Sequence, residues 1–286
     1  MRAVLLTILV AGALGRAQGP AHIDYKCADD DIEFFGLNCT PEMPCPVYLE
    51  LTSLERVGAK LFLTGNFHSA TVTLDSILLM SADEGKTWTE PHARIRSASL
   101  DQAQFVDLEK GWVSGETVQS LPRNPFFLVT TDAGLTWDQR PVFEEDRVGT
   151  IVQFWFDSPT SGSVVIEAGS KNERYETMTG GSTWAVREVK DSPIRLKQSY
   201  AAPNPDWRLR ADAASQTYRV EKRQNGAWRT LTSFPIHVAD CKPAEAAPSA
   251  PTPGVETPAP VEAPRKPPSP RKAPSEGPLP KANEQP

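Results

Sequence analysis

"SADEGKTW" at residues 81–88 and "TTDAGLTW" at residues 130–137 are one octet written twice, Ser/Thr-x-Asp-x-Gly-x-Thr-Trp. Trp88 and Trp137 stand 49 positions apart. Moving 47 positions further reaches "TMTGGSTW" (177–184), which keeps the Gly-x-Thr-Trp ending and puts Thr179 where the Asp stood. Another 44 positions lead to "QNGAWRTL" (224–231), where Asn225-Gly226 and Trp228 survive. A period in the forties marks a repeat array, and propeller blades fall in that range.

A second motif keeps the same phase. "QFVDLEKGWVSGE" (104–116) precedes the second octet, and "QFWFDSPTSGSVVIE" (153–167) precedes the third. Each has aromatic-x-Asp, a polar turn near Gly, then a β-rich run. Looser copies, "ERVGAKLFLTGN" (55–66) and "NPDWRLRAD" (204–212), precede the first and fourth. One period therefore reads strand, Gly turn, strand, loop, strand, octet, strand. For the second copy the strands fall at 103–108, 111–116, 125–131 and 136–142. The runs are short, alternating and rich in Val, Phe, Trp and Thr, and no apolar 3.6-residue period competes with them. The expected fold is all-β: a β-propeller of about four four-stranded blades, five if residues 24–47 contribute strands.

The octet reads as scaffolding. Its Asp can accept hydrogen bonds from backbone amides of its own turn. Its Gly supplies a positive φ, and its Trp opens the next strand and packs beneath the turn. Asp83, Gly85, Thr87 and Trp88 staple one hairpin on this reading. Asp132, Gly134, Thr136 and Trp137 staple the next, and Gly181, Thr183 and Trp184 the third, with Thr179 giving a weaker hydroxyl turn. A single carboxylate per turn makes a poor cation cage. No metal site and no cofactor is implied.

The ends of the chain differ from its middle. Arg2, the apolar run 3–14 and small residues at 15–17 read as a secretory signal peptide over 1–17. Residues 242–286 are rich in Pro, Ala, Ser, Lys and Glu and hold no aromatic residue. Such a segment cannot offset its own ordering entropy and reads as a disordered spacer that contacts the cell envelope. A Cys-containing segment (18–47) and a propeller domain (48–241) lie between. Residues 18–241 hold 22 Lys and Arg against 31 Asp and Glu. That acidic balance, with no basic stripe, argues against nucleic acid as partner. No later run is long and apolar enough for a transmembrane segment. The chain reads as exported, to a periplasm or beyond.

Four cysteines in an exported chain suggest disulfides, and four allow three pairings. Cys39 and Cys45 are neighbours in a Pro-rich loop, while Cys27 and Cys241 bracket the folded region. Cys39–Cys45 with Cys27–Cys241 is the favoured pairing of the three.

The octets are Asp boxes, also called bacterial neuraminidase repeats. Together with the aromatic-x-Asp…Gly-Trp runs they resemble the photosystem II stability and assembly factor family and its relatives in other bacteria. The resemblance spans residues 49–232. It implies a propeller without catalytic activity that binds another exported or envelope protein as a scaffold. The alternatives are a sialidase-like glycan-acting enzyme or carbohydrate-binding module, and an envelope structural protein tethered by its tail.

Sialidases also carry Asp boxes. They need three arginines around a carboxylate, an acid/base Asp and a Tyr–Glu nucleophile pair. Here "ARIRS" follows the first octet instead of preceding it. Tyr175 and Glu176 are sequence neighbours, so on a strand they point to opposite faces. No catalytic set is expected. Six arginines remain as candidates for binding a partner's carboxylates: Arg94, Arg96, Arg147, Arg195, Arg208 and Arg210. Trp112, Trp155 and Trp207 are expected in the core between blades.

Overall fold

The structure is a computed structural model. It describes residues 21–28, 30–118, 124–143, 147–196 and 204–243. These belong to the first of two units, Met1–Glu245. The expected signal peptide, and the Pro-rich tail beyond residue 243, lie outside the described residues.

Four antiparallel sheets follow one another along the chain. The first holds β1 (Cys45–Val57), β2 (Lys60–His68) and β3 (Thr73–Ser81). The second holds β4 (Ala98–Phe105), β5 (Gly111–Thr117), β6 (Asn124–Thr130) and β7 (Asp138–Pro141). The third holds β8 (Thr150–Phe156), β9 (Gly162–Ala168), β10 (Lys171–Thr177) and β11 (Ala185–Lys190). The fourth holds β12 (Trp207–Asp212), β13 (Thr217–Gln224) and β14 (Ala227–Pro235). The last strand, β15 (His237–Cys241), returns to pair with β1 and makes the first sheet four-stranded, in the order β15-β1-β2-β3. This is a four-bladed propeller in which the C-terminal strand closes onto the first blade. No fifth blade forms among the described residues. Residues 21–44 carry no strand, and their regular element is the short helix α1 (Asp31–Phe34).

Why these runs are strands follows from where their faces go. Leu61 and Leu63 of β2 join one apolar cluster with Trp207, Val220 and Phe234 of the fourth sheet. Phe62, between them, joins a second cluster with Val113, Phe126 and Leu128 of the second sheet. Phe127 and Val129 join a third with Phe154, Phe156 and Val164 of the third sheet. Neighbouring residues thus enter different clusters, because successive side chains on a strand point to opposite faces. A strand buried on both faces must be apolar throughout, which is why "LFL" and "FFLV" read as continuous runs. The third sheet buries only one face in this way.

Two details depart from the sequence reading. The first octet is not followed by a full fourth strand. The chain makes two isolated bridges to β3 there, Met80 with Thr89 and Asp75 with Arg96, and β15 completes the sheet on its other side. The faint fourth copy is not an octet. It is a two-residue hairpin in which Asn225 (φ 51°) and Gly226 (φ 79°) are both left-handed, joining Gln224 to Ala227, the tight turn that suits the twist of paired strands.

Both disulfides form as the favoured pairing has them, Cys27–Cys241 and Cys39–Cys45. Cys27 ties the segment 21–44 to β15. Ile23, Phe35 and Leu37 of that segment enter the first apolar cluster. No helix among the described residues is long and apolar enough to cross a membrane.

Candidate functional site

The octets come first because they position everything else. Asp83 Oδ1 accepts from the amides of Lys86 (3.0 Å) and Thr87 (2.9 Å), and its Oδ2 accepts from the Thr87 hydroxyl (2.7 Å). Asp132 repeats the set with Leu135 and Thr136. In the third octet Thr179 offers one hydroxyl, which takes the Thr183 amide at 2.9 Å. The residue before each Gly is also left-handed: Glu84 (φ 58°), Ala133 (φ 61°) and Gly180 (φ 67°).

Each octet is also docked by the preceding blade. The Gly85 carbonyl accepts from the Thr232 hydroxyl of β14, the Ala133 carbonyl from Lys60 Nζ (2.8 Å) of β2, and the Gly180 carbonyl from Trp112 Nε1 (3.0 Å) of β5. At Gly134 a Cβ would lie 2.4 Å from the Phe62 ring of the first blade, so the approach of the two blades requires glycine. The octet therefore joins blades as well as turning a hairpin.

These carboxylates titrate low. The Thr87 amide, followed by the Thr87 and Ser81 hydroxyls, holds Asp83 at about 2, and Asp132 is held at about 2 chiefly by the Thr136 hydroxyl and amide. A carboxyl depressed on folding stabilises the fold above its ordinary range and loses that contribution as pH falls toward the depressed value. Asp83→Asn and Asp132→Asn are therefore expected to melt lower than wild type at pH 7, with the gap closing between pH 4 and pH 2. Melting curves across that range check it; a gap that does not narrow with acid overturns the capping account.

A concavity beside the octets lies between the second and third sheets. Its volume is about 690 Å³, and β7 residues Gln139–Pro141, with Val142 and Phe143, face Tyr175, Trp184 and Arg147 across it. That size suits a small ligand or a sugar unit. Tyr175 of β10 is 3% exposed. Its hydroxyl donates to Glu173 Oε2, and Arg147 NH2 reaches the same oxygen at 3.1 Å. Glu173 is 12% exposed and Arg147 is 49% exposed. Burial first, then Glu173, pushes the Tyr175 phenol up to about 12. Arg147 also lies over the rings of Phe143 and Tyr175. On the opposite wall Arg140 donates to the Ser182 hydroxyl at 3.1 Å. The indole N–H of Trp184 is buried without a hydrogen-bond partner, whereas those of Trp88 and Trp137 donate to Gly85 and Gly134.

Tyr175 and Glu176 do face opposite ways, as the strand period requires. Glu176 lines a second concavity of about 570 Å³, with Trp155, Ser163, Arg174, Glu188 and Arg195. Arg174 and Arg187 both pair with Glu176, and Lys190 holds Glu188 below the usual carboxylate range. Trp155 is a correction: Trp112 and Trp207 are core residues, but Trp155 lies half-buried on the wall of this cavity, on the face of β8 opposite the buried Phe154 and Phe156.

The six candidate arginines do not form one patch. Arg94 pairs with Glu90, and Arg96 pairs with Asp30 and Asp31; both hold the 21–44 segment onto the first blade. Arg147 belongs to the groove and Arg195 to the second cavity. Arg208 pairs with Glu221 beneath Trp228, and Arg210 faces Arg219 across β12 and β13.

No family model matches the chain, and no curated sequence is similar to it. Solved structures are similar in fold. The catalytic domain of the GH62 α-L-arabinofuranosidase of Coprinopsis cinerea is 9% identical, with a TM-score of 0.35 over 67% of this chain and 69% of that one. A PL25 ulvan lyase is 8% identical, with a TM-score of 0.35 over 71% and 54%. The α-L-arabinofuranosidase Arb93A of Fusarium graminearum is 13% identical, with a TM-score of 0.33 over 76% and 66%. The chain thus spans about half the length of the lyase. At these values the likeness is one of fold. These neighbours are carbohydrate-active enzymes, which runs against the expectations of a non-catalytic scaffold and of no enzyme activity. Sequence reading also passed over Glu173 as a partner for Tyr175. The i, i+2 spacing on one strand was the signal that could have found it.

Proposed function

We propose that this chain acts on a glycan carrying an acidic sugar, in the groove between the second and third sheets. The observation that carries the reading is the Glu173–Tyr175 pair with Arg147 beside it. A phenol hydrogen-bonded to a carboxylate is a nucleophile with its base in place. As the Tyr175 oxygen bonds to an anomeric carbon, its proton passes to Glu173. The glycosidic bond breaks, and its electrons leave with the aglycone oxygen. Water then bonds to the anomeric carbon as the bond to Tyr175 breaks, one of its protons restores the phenol, and Glu173 passes its proton to the departed aglycone oxygen. Arg147 and Arg140 offer guanidinium groups to the sugar carboxylate, and Phe143 and Trp184 offer ring faces to its apolar side.

The octets and aromatic-x-Asp runs support kinship with Asp-box propellers of the photosystem-factor type, a kinship of architecture in this reading. The two disulfides support export.

The test uses umbelliferyl glycosides of sialic and glucuronic acid, with the matching oligosaccharides for binding. Tyr175→Phe and Glu173→Gln are each expected to lower turnover by about 10²–10⁴-fold, with melting temperatures near wild type. Arg147→Ala is expected to weaken binding. Binding without turnover in wild type would make the groove a carbohydrate-binding site. Neither binding nor turnover would overturn the reading.

A further inference from the structure

The four cysteines meet at one place on the closing edge of the first blade. β1 and β15 pair antiparallel with Cys45 directly opposite Cys241. Each is bonded elsewhere: Cys45 to Cys39, 6 positions away, and Cys241 to Cys27, 214 positions away. Residues directly opposite across antiparallel strands hold their Cα atoms about 4.5–5.5 Å apart, within the roughly 4.4–6.8 Å that a disulfide spans. The two bridges therefore lie side by side. The third pairing, Cys45–Cys241, needs no rearrangement of the strands.

We propose that this cluster is a thiol–disulfide exchange site whose reaction partner is an external dithiol. The proposal is independent of the glycan reading. Access decides the order of events. Cys241 is fully buried, whereas Cys39 and Cys45 flank a loop whose residues Pro41, Glu42 and Met43 are exposed. The dithiol attacks Cys39 Sγ, the Cys39–Cys45 bond breaks, and Cys45 leaves as a thiolate. The second thiol of the reagent resolves the mixed disulfide, leaving as a cyclic disulfide and freeing Cys39. The Cys45 thiolate then attacks Cys241 Sγ. A Cys45–Cys241 bond forms, the Cys27–Cys241 bond breaks, and Cys27 leaves with the electron pair and takes a proton from water. Two electrons have entered from the dithiol, one disulfide remains, and Cys27 and Cys39 are thiols.

The consequence is selective. The first and last strands stay covalently joined, now directly across the ladder. Residues 21–44 lose their covalent tie and are held by Ile23, Phe35 and Leu37, by Tyr25 donating to Asp75 (2.9 Å), and by Arg96 with Asp30 and Asp31. Reduction at the exposed loop thus loosens a segment anchored by a few buried side chains without opening the first blade, and it presents the Cys27 thiol on that segment.

The oxidised protein is treated with less than one equivalent of dithiothreitol. Free thiols are then alkylated in the folded state, and the chain is cleaved after Glu33 and Glu42, which separates Cys27, Cys39 and Cys45. The expected main product carries label on Cys27 and Cys39 and a linked Cys45–Cys241 peptide. Label on Cys39 and Cys45 with Cys27–Cys241 intact would overturn the proposal. Cys39→Ser provides a reductant-free version: the Cys45–Cys241 peptide should dominate, with Cys27 labelled. A labelled Cys45 there would overturn it equally.

Discussion

Cys27→Ala combined with Cys241→Ala is expected to lower the unfolding free energy by roughly 4–5 kcal/mol, while Cys39→Ala with Cys45→Ala costs about 2 kcal/mol. The asymmetry follows from loop length. Cys27–Cys241 spans 214 positions and Cys39–Cys45 spans 6. A cross-link removes more freedom from the unfolded chain the longer the loop it closes. The long bridge also ties the 21–44 segment to β15, the strand that completes the first blade. Urea unfolding of the two double variants, without reductant, measures the difference. Equal destabilisation by the two would mean that the ring is held by strand pairing and apolar contact alone.

Glu55→Gln is expected to abolish a loss of stability that the wild type suffers as pH rises through neutrality. Glu55 lies on β1, and its carboxylate accepts from the Phe105 amide of β4 across the first seam between blades. Burial pushes it up to about 7, and the Phe105 amide offsets only part of that. Between the ordinary Glu range near 4.5 and pH 7 the folded chain therefore holds a proton that the unfolded chain has lost. Stability contributed by the protonated carboxyl is present at pH 4.5 and is lost as pH rises through 7. The full loss is on the order of 3 kcal/mol. The Gln variant has no charge to bury, so it should match wild type near pH 4.5 and exceed it at pH 8. Denaturant midpoints across pH 4.5–8.5 test this. Parallel curves for the two proteins would show that water reaches Glu55 and that it titrates normally. The octet carboxylates act in the opposite direction, since Asp83 and Asp132 are depressed and lose their contribution only toward pH 2.

The groove shows where sequence reading stops. Tyr175 and Glu176 draw the eye because they are adjacent, yet adjacency on a strand sends them to different cavities. Glu173 is the partner that Tyr175 meets, because residues two apart on a strand share a face, but that spacing alone does not say that the shared face lines a groove. Arg147 reaches the same carboxylate from 26 positions away. The two walls of the groove come from different blades, so no window of one repeat contains both.

The sequence by itself determined the parts that close within one period. The octet turns are such parts, because Asp83 and Asp132 bond amides three and four positions on. So are the strand runs: burial on both faces makes "LFL" and "FFLV" apolar throughout, and the forty-odd residue spacing sets them into blades. The cysteine pairing was also favoured, from one short and one bracketing separation. Tertiary structure alone decided what spans periods. It replaced the fourth strand of the first blade with β15, docked each octet on the blade before it, left Trp155 at a cavity wall, and brought Arg147 to Glu173. The reason is range. A hydrogen bond inside a turn is fixed by a few neighbouring dihedrals and can be read locally. A contact between blades depends on how two whole sheets pack, and that is set by residues from both at once.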